Sequence, residues 1–571
     1  MKHPYYIFLL LASFLLIYSC RSDSSQEKKI NEQDSGAVNM DQHIDTTVQR
    51  NNVTKRDLSV TPANAFNNNF LDSMSMENYI SRHGLSEKQI ALRIRSFYNA
   101  RNYQYAWFAD AGPTESARLF WNQYDYAVNH LKDTTIGNKE FSKTADRYLN
   151  HGFTFSRNDR NLLETEFGFT ENFIRYISST YEKGYVKRKE QEKFIPIKKG
   201  DALAMADSLL NKKHKDDKYY EDVNSMYGDL KKQLATYYSI VKAGGWPTVP
   251  AGKGNLKKGS SDPRIPVIKK RLQVSGDLAI ADSSQQYNDT LETAVKKFQQ
   301  RHGFKPDGLI SAALIREMNV TAESRLMQIL INIDRMRWML QKPSGKLVIV
   351  NIPEFMMHVY DGKQPLFEMA VVVGKEGNNT VMFNGDLSQI IFSPYWNVPT
   401  SIAEKEIYPA IRRNPNYLQS KNMEIVGNRI RQKPGPGNAL GKVKFVFPNN
   451  FSIYFHDTPS KSLFNENKRA FSHGCIRISQ PQKMAEWLLK NDPDWNTEKI
   501  VEAMNAGKEK AVNLKDPVPV FIIYYTSWVD EQGLLHFRDD IYDHDQELIS
   551  RMFTNYNNTV LAGGNHPAGS E

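Results

Sequence analysis

The sequence predicts an α+β protein of several domains, helical in its N-terminal half and mainly antiparallel β near its C-terminus. Its 571 residues exceed the usual size of a single domain. From about residue 72 to 249, apolar residues recur every three or four positions, the spacing of helices that face a core. From about residue 346 onward, short β-branched and aromatic runs alternate with turn signals such as Asp361-Gly362. These two patterns indicate the fold class.

The N-terminus has the pattern of an export signal. Lys2 precedes an apolar run over residues 5–18, which is too short to cross a bilayer comfortably. The run ends at Ser19-Cys20, and a small residue directly before a cysteine resembles a bacterial lipobox. We therefore expect a lipoprotein signal peptide over 1–19 and lipidation of Cys20, which would anchor the chain without a transmembrane helix. An ordinary signal peptide with an incidental cysteine is the alternative.

The segments next to this signal and at the far end of the chain are polar. Residues 20–71 are rich in Asp, Ser, Asn, Gln and Lys, which predicts a flexible tether. Residues 555–571 predict a polar tail. We expect an exported lipoprotein of a Gram-negative bacterium. Arg21 rather than Asp follows the cysteine, which by enterobacterial sorting logic fits the outer membrane, facing the periplasm.

After a helical domain predicted over 72–250, residues 258–320 form a small predicted unit of three helices. Asp289 is expected to cap its second helix. The pairing of Phe298-Gln299 with Pro306-Asp307-Gly308 resembles the peptidoglycan-binding module of bacterial wall enzymes. An anonymous three-helix linker domain is the alternative. Wall binding does not follow from the resemblance alone, since such modules are sometimes only spacers.

The β domain is predicted over residues 330–545. Its strands are interrupted by a segment of different character at 400–443, which begins as a helix and ends in a loop rich in Pro and Gly. We interpret this segment as a capping insertion over the site. A later helix is expected to start at a capping box formed by Ser479 and Gln482.

The chemistry-bearing feature of the chain is one cysteine, Cys475, beside His473 and Gly474. The only other cysteine is Cys20, so Cys475 has no disulfide partner in the folded body. A cysteine nucleophile needs a base, a group that orients the base, and N–H donors for an oxyanion. His456, nineteen positions earlier, and His473 are the candidate bases. An inert buried thiol is the alternative, and a metal site would need more ligands.

The joint pattern resembles a known family. His456-Asp457, a gap of about fifteen residues, and then Ser472-His473-Gly474-Cys475 resemble the signature of the L,D-transpeptidases, which cross-link peptidoglycan. The segment from Ser393 to Pro399 resembles the entry to the capping insertion in the large, multidomain branch of that family. The order of a helical scaffold, a wall-binding module and a catalytic domain also fits that branch. The resemblance covers most of residues 72–545.

The resemblance implies a role for each matched residue. Cys475 would be the nucleophile, and His456 the general base, oriented by the backbone carbonyl of Asp457. His473 would support the substrate or the oxyanion, and the N–H groups of Gly474 and Cys475 would form the oxyanion hole. The expected substrate-binding residues are Arg477, Tyr454, Trp396 and Ser472. Arg477 stands where many relatives carry Asn, and a structural salt bridge is the alternative for it.

The implied reaction is transpeptidation through a thioester on Cys475, which forms a 3→3 cross-link between tetrapeptide stems. An L,D-carboxypeptidase and the attachment of an outer-membrane protein are alternatives on the same site. A non-catalytic wall-binding scaffold is an alternative of another class. A papain-like protease fits less well, because His456 precedes the cysteine.

The expected partners follow from the same resemblance. They are peptidoglycan peptide stems, the membrane through the N-terminal lipid, and other wall-synthesis enzymes through the scaffold domain. The resemblance also implies acylation by carbapenems and no need for a metal or an organic cofactor. The net charge of +10 is a thin excess of 74 basic over 64 acidic residues without a dense basic stripe, so nucleic acid is not expected to bind.

Overall fold

The computed structural model describes residues 53–554, with gaps inside that range. The gaps are 87, 151–154, 157–158, 182–194, 212–219, 222–223, 339–344 and 363. The predicted signal peptide at 1–19, its Cys20 and the predicted tail at 555–571 lie outside the described residues. No helix among the described residues combines the length and the apolar character needed to cross a bilayer.

The last part of the predicted tether is packed rather than flexible. Ala65 and Phe66 are buried, and Ala65 pairs with Lys198 in a short antiparallel bridge. A few apolar residues are enough to dock a segment onto a neighbouring core, even where its overall composition is polar. The prediction of a flexible tether is therefore wrong for residues 53–71.

The region from 72 to 250 is helical, as its apolar spacing predicts. The side chains of Asp72, Thr114 and Asp201 accept hydrogen bonds from the first turn of a helix, which explains where these helices begin. Trp107 and Phe120 lie in its aromatic core. Its elements are α1 (Ser73–Arg82), α2 (Gln89–Ala100), β1 (Phe108–Ala109), β2 (Gly112–Pro113), α3 (Glu115–Asp125) with a π-helical turn at Tyr126–His130, α4 (Lys139–Asn150), α5 (Arg160–Tyr181), α6 (Ala202–Leu210) and α7 (Ser225–Lys242).

The small module has the three predicted helices around its own apolar core. They are α8 (Ile265–Val274), α9 (Asp289–Arg301) and α10 (Ala312–Met318). Asn288, rather than the predicted Asp289, caps α9, and its side chain accepts a hydrogen bond of 3.0 Å from the N–H of Leu291. Both residues are good caps, and the local backbone decides between them.

A buried helix, α11 (Ala322–Arg337), connects the module to the β domain. Arg335 of α11 forms ion pairs with Glu115 of the helical region, at 2.6 Å, and with Asp545, at 2.5 Å. Asp545 lies on the last helix, α17 (His544–Met552), so one guanidinium joins three parts of the chain.

The β domain contains one large sheet. The strands in this part of the chain are β3 (Lys346–Asn351), β4 (Met356–Asp361), β5 (Gln364–Gly374), β6 (Phe383–Phe392), β7 (Trp396–Asn397), β8 (Met423–Val426), β9 (Arg429–Gln432), β10 (Val443–Val446), β11 (Phe455–His456), β12 (Ala470–Ser472), β13 (Ile476–Ile478) and β14 (Lys510–Ile523), followed by the ribbon β15 (Ser527–Val529) and β16 (Leu535–Phe537).

Among the described residues the large sheet has nine strands in the order β12-β5-β13-β11-β10-β6-β14-β3-β4. Strand β4 also pairs with β5, so the sheet closes on itself. Six pairings are antiparallel and three are parallel, which makes the sheet mixed.

The sheet has a core face and an outer face. Phe455 and Ile476 lie on the core face, packed with two helices, α15 (Pro481–Leu489) and α16 (Thr497–Asn505). Outer-face residues such as Phe521 and Ile523 of β14 belong to the core of the helical region. The helical region therefore covers part of the outer face. The strands β10, β11 and β13 carry polar residues on their outer faces.

The capping box predicted at the start of α15 is absent. Gln480 precedes the helix without a side-chain cap, and Pro481 is its first residue. Gln482 donates instead to Glu486, one turn later. Proline at the first helical position supplies the start, because its missing N–H would be unpaired there in any case.

Between β6 and β10 the chain leaves the large sheet and forms a small body of its own. The strands β7, β9 and β8 pair in that order. Short helices α12 (Thr400–Ile402), α13 (Tyr408–Arg413) and α14 (Tyr417–Ser420) lie between them, with a π-helical turn at Ala403–Ile407. Val398, Ile407 and Ile430 form its apolar core. We call this body the insertion.

Replacing Arg335 with Met is expected to lower the free energy of unfolding by about 3–5 kcal/mol, because two buried carboxylates lose their partner. Urea denaturation would measure the change. The control is Arg82→Ala, which breaks the exposed pair with Glu164 and should cost less than about 1 kcal/mol. Equal losses in the two variants would show that the buried network does not hold the domains together.

Candidate active site

Cys475 lies in the tight turn between β12 and β13. It is half-buried, and it is a free thiol. Its Sγ lies 3.5 Å from the carbonyl oxygen of Ser452, in the loop before β11. Burial raises the pKa of the thiol. Hydrogen bonds from the backbone and the hydroxyl of Tyr454, and the charges of Arg477 and Lys444, act on that pKa in the opposite direction.

His456 ends β11 and is buried. Its Nδ1 lies 2.5 Å from the carbonyl oxygen of Asp457. Because a carbonyl oxygen can only accept, the proton of the neutral imidazole lies on Nδ1 and the lone pair on Nε2. Burial, followed by the positive charge of Arg477, lowers the pKa of His456 to about 4. The imidazole is therefore neutral at neutral pH and able to accept a proton at Nε2.

Strand alternation brings the predicted residues to one face. β11 pairs with β13 in parallel, with His456 opposite Arg477 and Phe455 opposite Ile476. Since Phe455 and Ile476 face the core, His456 and Arg477 face outward. Tyr454 lies two residues before His456, and its ring centroid is 5.7 Å from that of the imidazole. The strands thus bring together Cys475, His456, Tyr454 and Arg477.

Sequence reasoning missed a second cation at this site, Lys444 of β10. It is opposite His456 in the antiparallel pairing of β10 with β11. Burial lowers its pKa, while Glu509 and Cys475 raise it. Its position between the core residues Val443 and Phe445 predicts that it faces outward. The register that sets it beside the histidine could not be read from the sequence.

Arg477 carries no carboxylate partner in the described part of the chain. Its Nε is buried without a hydrogen-bond partner. Burial lowers its pKa, and the charge of Cys475 raises it. A salt bridge, the alternative for this residue, is not observed, and the guanidinium is available to an anion at the site.

Hydrogen bonds within the turn shape the candidate oxyanion hole. Gly474 has φ of +110°, a conformation that strains any residue with a side chain. Its N–H donates to Oγ of Ser472 at 3.2 Å, and that hydroxyl donates to the carbonyl of Cys475 at 2.5 Å. No described residue accepts a hydrogen bond from the N–H of Cys475. The geometry therefore favours the N–H of Cys475 over that of Gly474 as an oxyanion donor.

A network of hydroxyl groups holds this turn against the end of β5. Thr380 Oγ1 accepts from the N–H of Gly374 at 2.9 Å and donates to the carbonyl of Gly474 at 2.8 Å. Tyr542 donates to the carbonyl of Gly374 at 2.6 Å and accepts from the N–H of Thr380. Neither hydroxyl residue was predicted, because neither belongs to a motif and only the fold brings them to the turn.

His473 is exposed and contacts the insertion. Its Nε2 lies 2.7 Å from Oε1 of Glu406 in the π-helical turn. The insertion thus contacts the turn between β12 and β13, which holds the predicted nucleophile Cys475 and which we call the nucleophile turn. Trp396, a predicted substrate-binding residue, packs instead against the insertion's own core. Its role and that of Ser472 stay predictions.

The carboxylate of Asp457 has a structural position. Its Oδ1 accepts from the N–H of Thr458 at 2.7 Å and pairs with Lys461 at 2.5 Å. A side chain at Gly441, which has φ of +61°, would collide with it. Only the backbone carbonyl of Asp457 is therefore in contact with the imidazole, as the sequence resemblance implies.

No cluster of three or more His, Cys, Asp or Glu side chains that could hold a metal ion occurs among the described residues. The site brings a free thiol and a buried imidazole into the same region of the sheet, with the charges of Arg477 and Lys444 acting on both. This arrangement can activate a nucleophile and stabilise negative charge on an acyl group.

Comparison with known families gives three consecutive matches. Residues 93–234 match a scaffold domain, residues 261–318 match a peptidoglycan binding domain, and residues 345–519 match an L,D-transpeptidase catalytic domain. The catalytic match contains the thiol, the imidazole, both cations and the insertion.

Individual proteins resemble parts of the chain. A protein of Haemophilus influenzae named "Putative L,D-transpeptidase" is 28% identical over 254 residues, which are 41% of this chain and 50% of that protein. The chain thus aligns with about half the length of this curated relative. An L,D-transpeptidase structure from Mycobacterium smegmatis is 14% identical, covering 32% of this chain and 60% of its own, with a TM-score of 0.19. One from Stackebrandtia nassauensis is 14% identical, covering 48% and 96%, with a TM-score of 0.20. The two TM-scores are too low for these structures to carry an argument.

The family matches follow the order of the folded parts: helical region, small module, β domain. The last of them holds the free thiol and the imidazole on one face of its sheet. The chain therefore carries a region that matches the L,D-transpeptidase catalytic domain, preceded by regions that match a scaffold domain and a peptidoglycan binding domain.

Proposed function

We propose that this protein is a peptidoglycan L,D-transpeptidase that forms 3→3 cross-links through a thioester on Cys475. The observation that carries the proposal is the hydrogen bond from Nδ1 of His456 to the carbonyl of Asp457. It leaves Nε2 of a buried, neutral imidazole free to take the proton of a thiol on the same face of the sheet.

The first half of the reaction acylates the enzyme. Nε2 of His456 takes the thiol proton, and Sγ of Cys475 attacks the carbonyl that joins the third stem residue to the terminal D-alanine. Negative charge develops on the carbonyl oxygen, where the N–H of Cys475 can donate to it. The C–N bond then breaks, the imidazolium gives its proton to the leaving amine, and D-alanine departs from the thioester.

The second half transfers the acyl group. The side-chain amine of a diamino acid on a second stem attacks the thioester while His456 removes a proton from it. The C–S bond breaks, a new amide forms, and the proton returns to the sulfur. The same histidine therefore serves as base and acid in turn.

The two cations of the site, Arg477 and Lys444, stabilise the thiolate in this scheme. Arg477 and Lys444 lie next to the sulfur, and their charges favour the thiolate against the effect of burial. Arg477, whose Nε has no partner, is also suited to a carboxylate of the stem. The module at 261–318 would hold the chain on peptidoglycan, and the predicted lipid on Cys20 would hold it at a membrane.

The test is incubation of the chain lacking residues 1–20 with a disaccharide-tetrapeptide, with the products measured by mass spectrometry. A dimer that lacks one D-alanine supports transpeptidation. A monomeric tripeptide as sole product would indicate the L,D-carboxypeptidase alternative. Absence of D-alanine release, with Cys475→Ala behaving the same, would favour a non-catalytic wall-binding protein.

Replacement of the two histidines should separate their roles. His456→Ala is expected to lower kcat by about 10²–10⁴-fold, since the general base is lost. His473→Ala should cost much less and should match Glu406→Gln, because both remove the same contact with the insertion. Steady-state turnover of all three variants is the measurement. A loss in His473→Ala equal to that in His456→Ala would contradict the assignment of the base.

The pH dependence of kcat/KM should report the buried imidazole. A general base works in its neutral form, so activity is present above its pKa and lost as the pH falls through it. With the pKa of His456 lowered to about 4, we expect the acid limb near pH 4 rather than near the ordinary histidine value of about 6.5.

Arg477→Met should move this acid limb to higher pH, because the charge of Arg477 is one cause of the lowered pKa of His456. Lys490→Met is the control, since this exposed lysine follows α15, which packs on the core face. Circular dichroism at each pH excludes unfolding. An acid limb near pH 6.5 in both variants and in the unaltered chain would contradict the proposed role of burial.

A further inference from the structure

A cavity of about 200 Å³ lies between the helical region and the β domain. One wall is α3, through Arg118 and Trp121. The loop after β5 lines it through Asn379 and Thr380, and Phe451 lines it as well. Helix α17 supplies a third side. Neither Cys475 nor His456 lines this cavity, so it is separate from the catalytic face described above.

Arg118 is the cation of this cavity that lacks a partner. The two nearby carboxylates are occupied: Glu115 pairs with Arg335 at 2.6 Å, and Glu547 pairs with Arg551 at 3.0 Å. No group in the described part of the chain forms a hydrogen bond or an ion pair with the guanidinium of Arg118. Burial lowers its pKa, and the charges of Glu547 and Glu115 act on that pKa in the opposite direction. A half-buried cation without a hydrogen-bonded or ion-paired partner favours the binding of an anion.

A second lining residue offers an acceptor. Oδ1 of Asn379 is buried and has no hydrogen-bond partner. His544, on the third side, is neutral at neutral pH, because burial and the charges of Arg335 and Arg118 lower its pKa to about 4. The cavity thus combines a cation without an ion-pair partner and an acceptor without a hydrogen-bond partner, and its lining also includes Trp121 and the paired carboxylates of Glu115 and Glu547.

We propose that this cavity binds the carboxylate end of an amino acid or of a peptide. The carboxylate pairs with the guanidinium of Arg118, and the neighbouring N–H donates to Oδ1 of Asn379. The volume has room for one or two small residues. The identity of this residue as D-alanine, at the end of a stem or released from it, rests on the proposed function. The binding of a carboxylate does not depend on that function.

Two residues that line the cavity belong to segments next to the nucleophile turn. Thr380 lines the cavity and donates to the carbonyl of Gly474 at 2.8 Å. Phe451 also lines it and directly precedes Ser452, whose carbonyl oxygen is 3.5 Å from Sγ of Cys475. The cavity therefore shares lining residues with the two segments next to Gly474 and Cys475.

Calorimetric titration of the full chain in detergent, carrying Cys475→Ala so that no turnover occurs, tests the proposal. The probes are N-acetyl-D-alanine, free D-alanine and N-acetyl-D-alaninamide, which lacks the carboxylate. We expect an acid to bind and the amide not to bind. Arg118→Gln should weaken binding by about tenfold or more, the effect of losing a charge-assisted hydrogen bond.

Two further variants sharpen the result. Arg551→Gln removes a cation from the same cavity, but one that is already paired with Glu547, and it should leave binding unchanged. Asn379→Asp places a like charge opposite the ligand and should weaken binding by a comparable factor, independently of any effect of Arg118→Gln on folding. Binding of the acetylated acid indicates a peptide terminus as the source, and binding of free D-alanine alone indicates the released amino acid.

Equal binding of the amide and the acids would overturn the proposal, as would unchanged affinity in both Arg118→Gln and Asn379→Asp. Turnover of the disaccharide-tetrapeptide by the chain with Cys475 intact separates this inference from the proposed function. Cross-linking without carboxylate binding overturns only the proposal that the cavity binds a carboxylate. If a carboxylate binds, the binding depends on Arg118, and neither cross-linking nor D-alanine release is observed, only the proposed function is overturned.

Discussion

The parallel pairing of β11 with β13 is the constraint on which the site depends. It sets His456 opposite Arg477 and places the turn that holds Cys475 beside Tyr454. A shift of one residue in this register would turn the imidazole into the core and Phe455 outward, so the core itself specifies which side chains share the outer face with His456. The hydrogen bond to the carbonyl of Asp457 then fixes the tautomer of His456, which the pairing alone would leave open.

Burial shapes the electrostatics of this face. It raises the pKa of the thiol and lowers the pKa of the imidazole, so both partners rest in their neutral forms. Lys444 and Arg477 favour the thiolate but further lower the pKa of His456, which keeps the imidazole ready to accept a proton. The helical region covers another part of the same outer face through β14. The helical region and the loop after β5 together line the cavity around Arg118.

The fold class follows from local sequence patterns, but the position of β6, a central strand of the large sheet, does not. Most strands of the large sheet coincide with β-branched and aromatic runs that are visible in the sequence. β6 was not predicted, because Gly385, Asp386 and Ser388 lower its local β propensity. It nevertheless pairs with both β10 and β14, since long-range pairing overrides a weak local preference. The same limit applies to residues 53–71, whose polar composition concealed a packed segment.

The sequence by itself determined the chemistry of this protein: a thiol without a disulfide partner, a histidine nineteen positions before it, and the order of the three domains. Spacing and motif are enough for these, because they are properties of the chain. Only the tertiary structure decided which groups surround the thiol. Lys444, Thr380, Tyr542 and Glu406 reach the site through strand register and long-range packing. These contacts join residues far apart in sequence, and no local pattern encodes such distances.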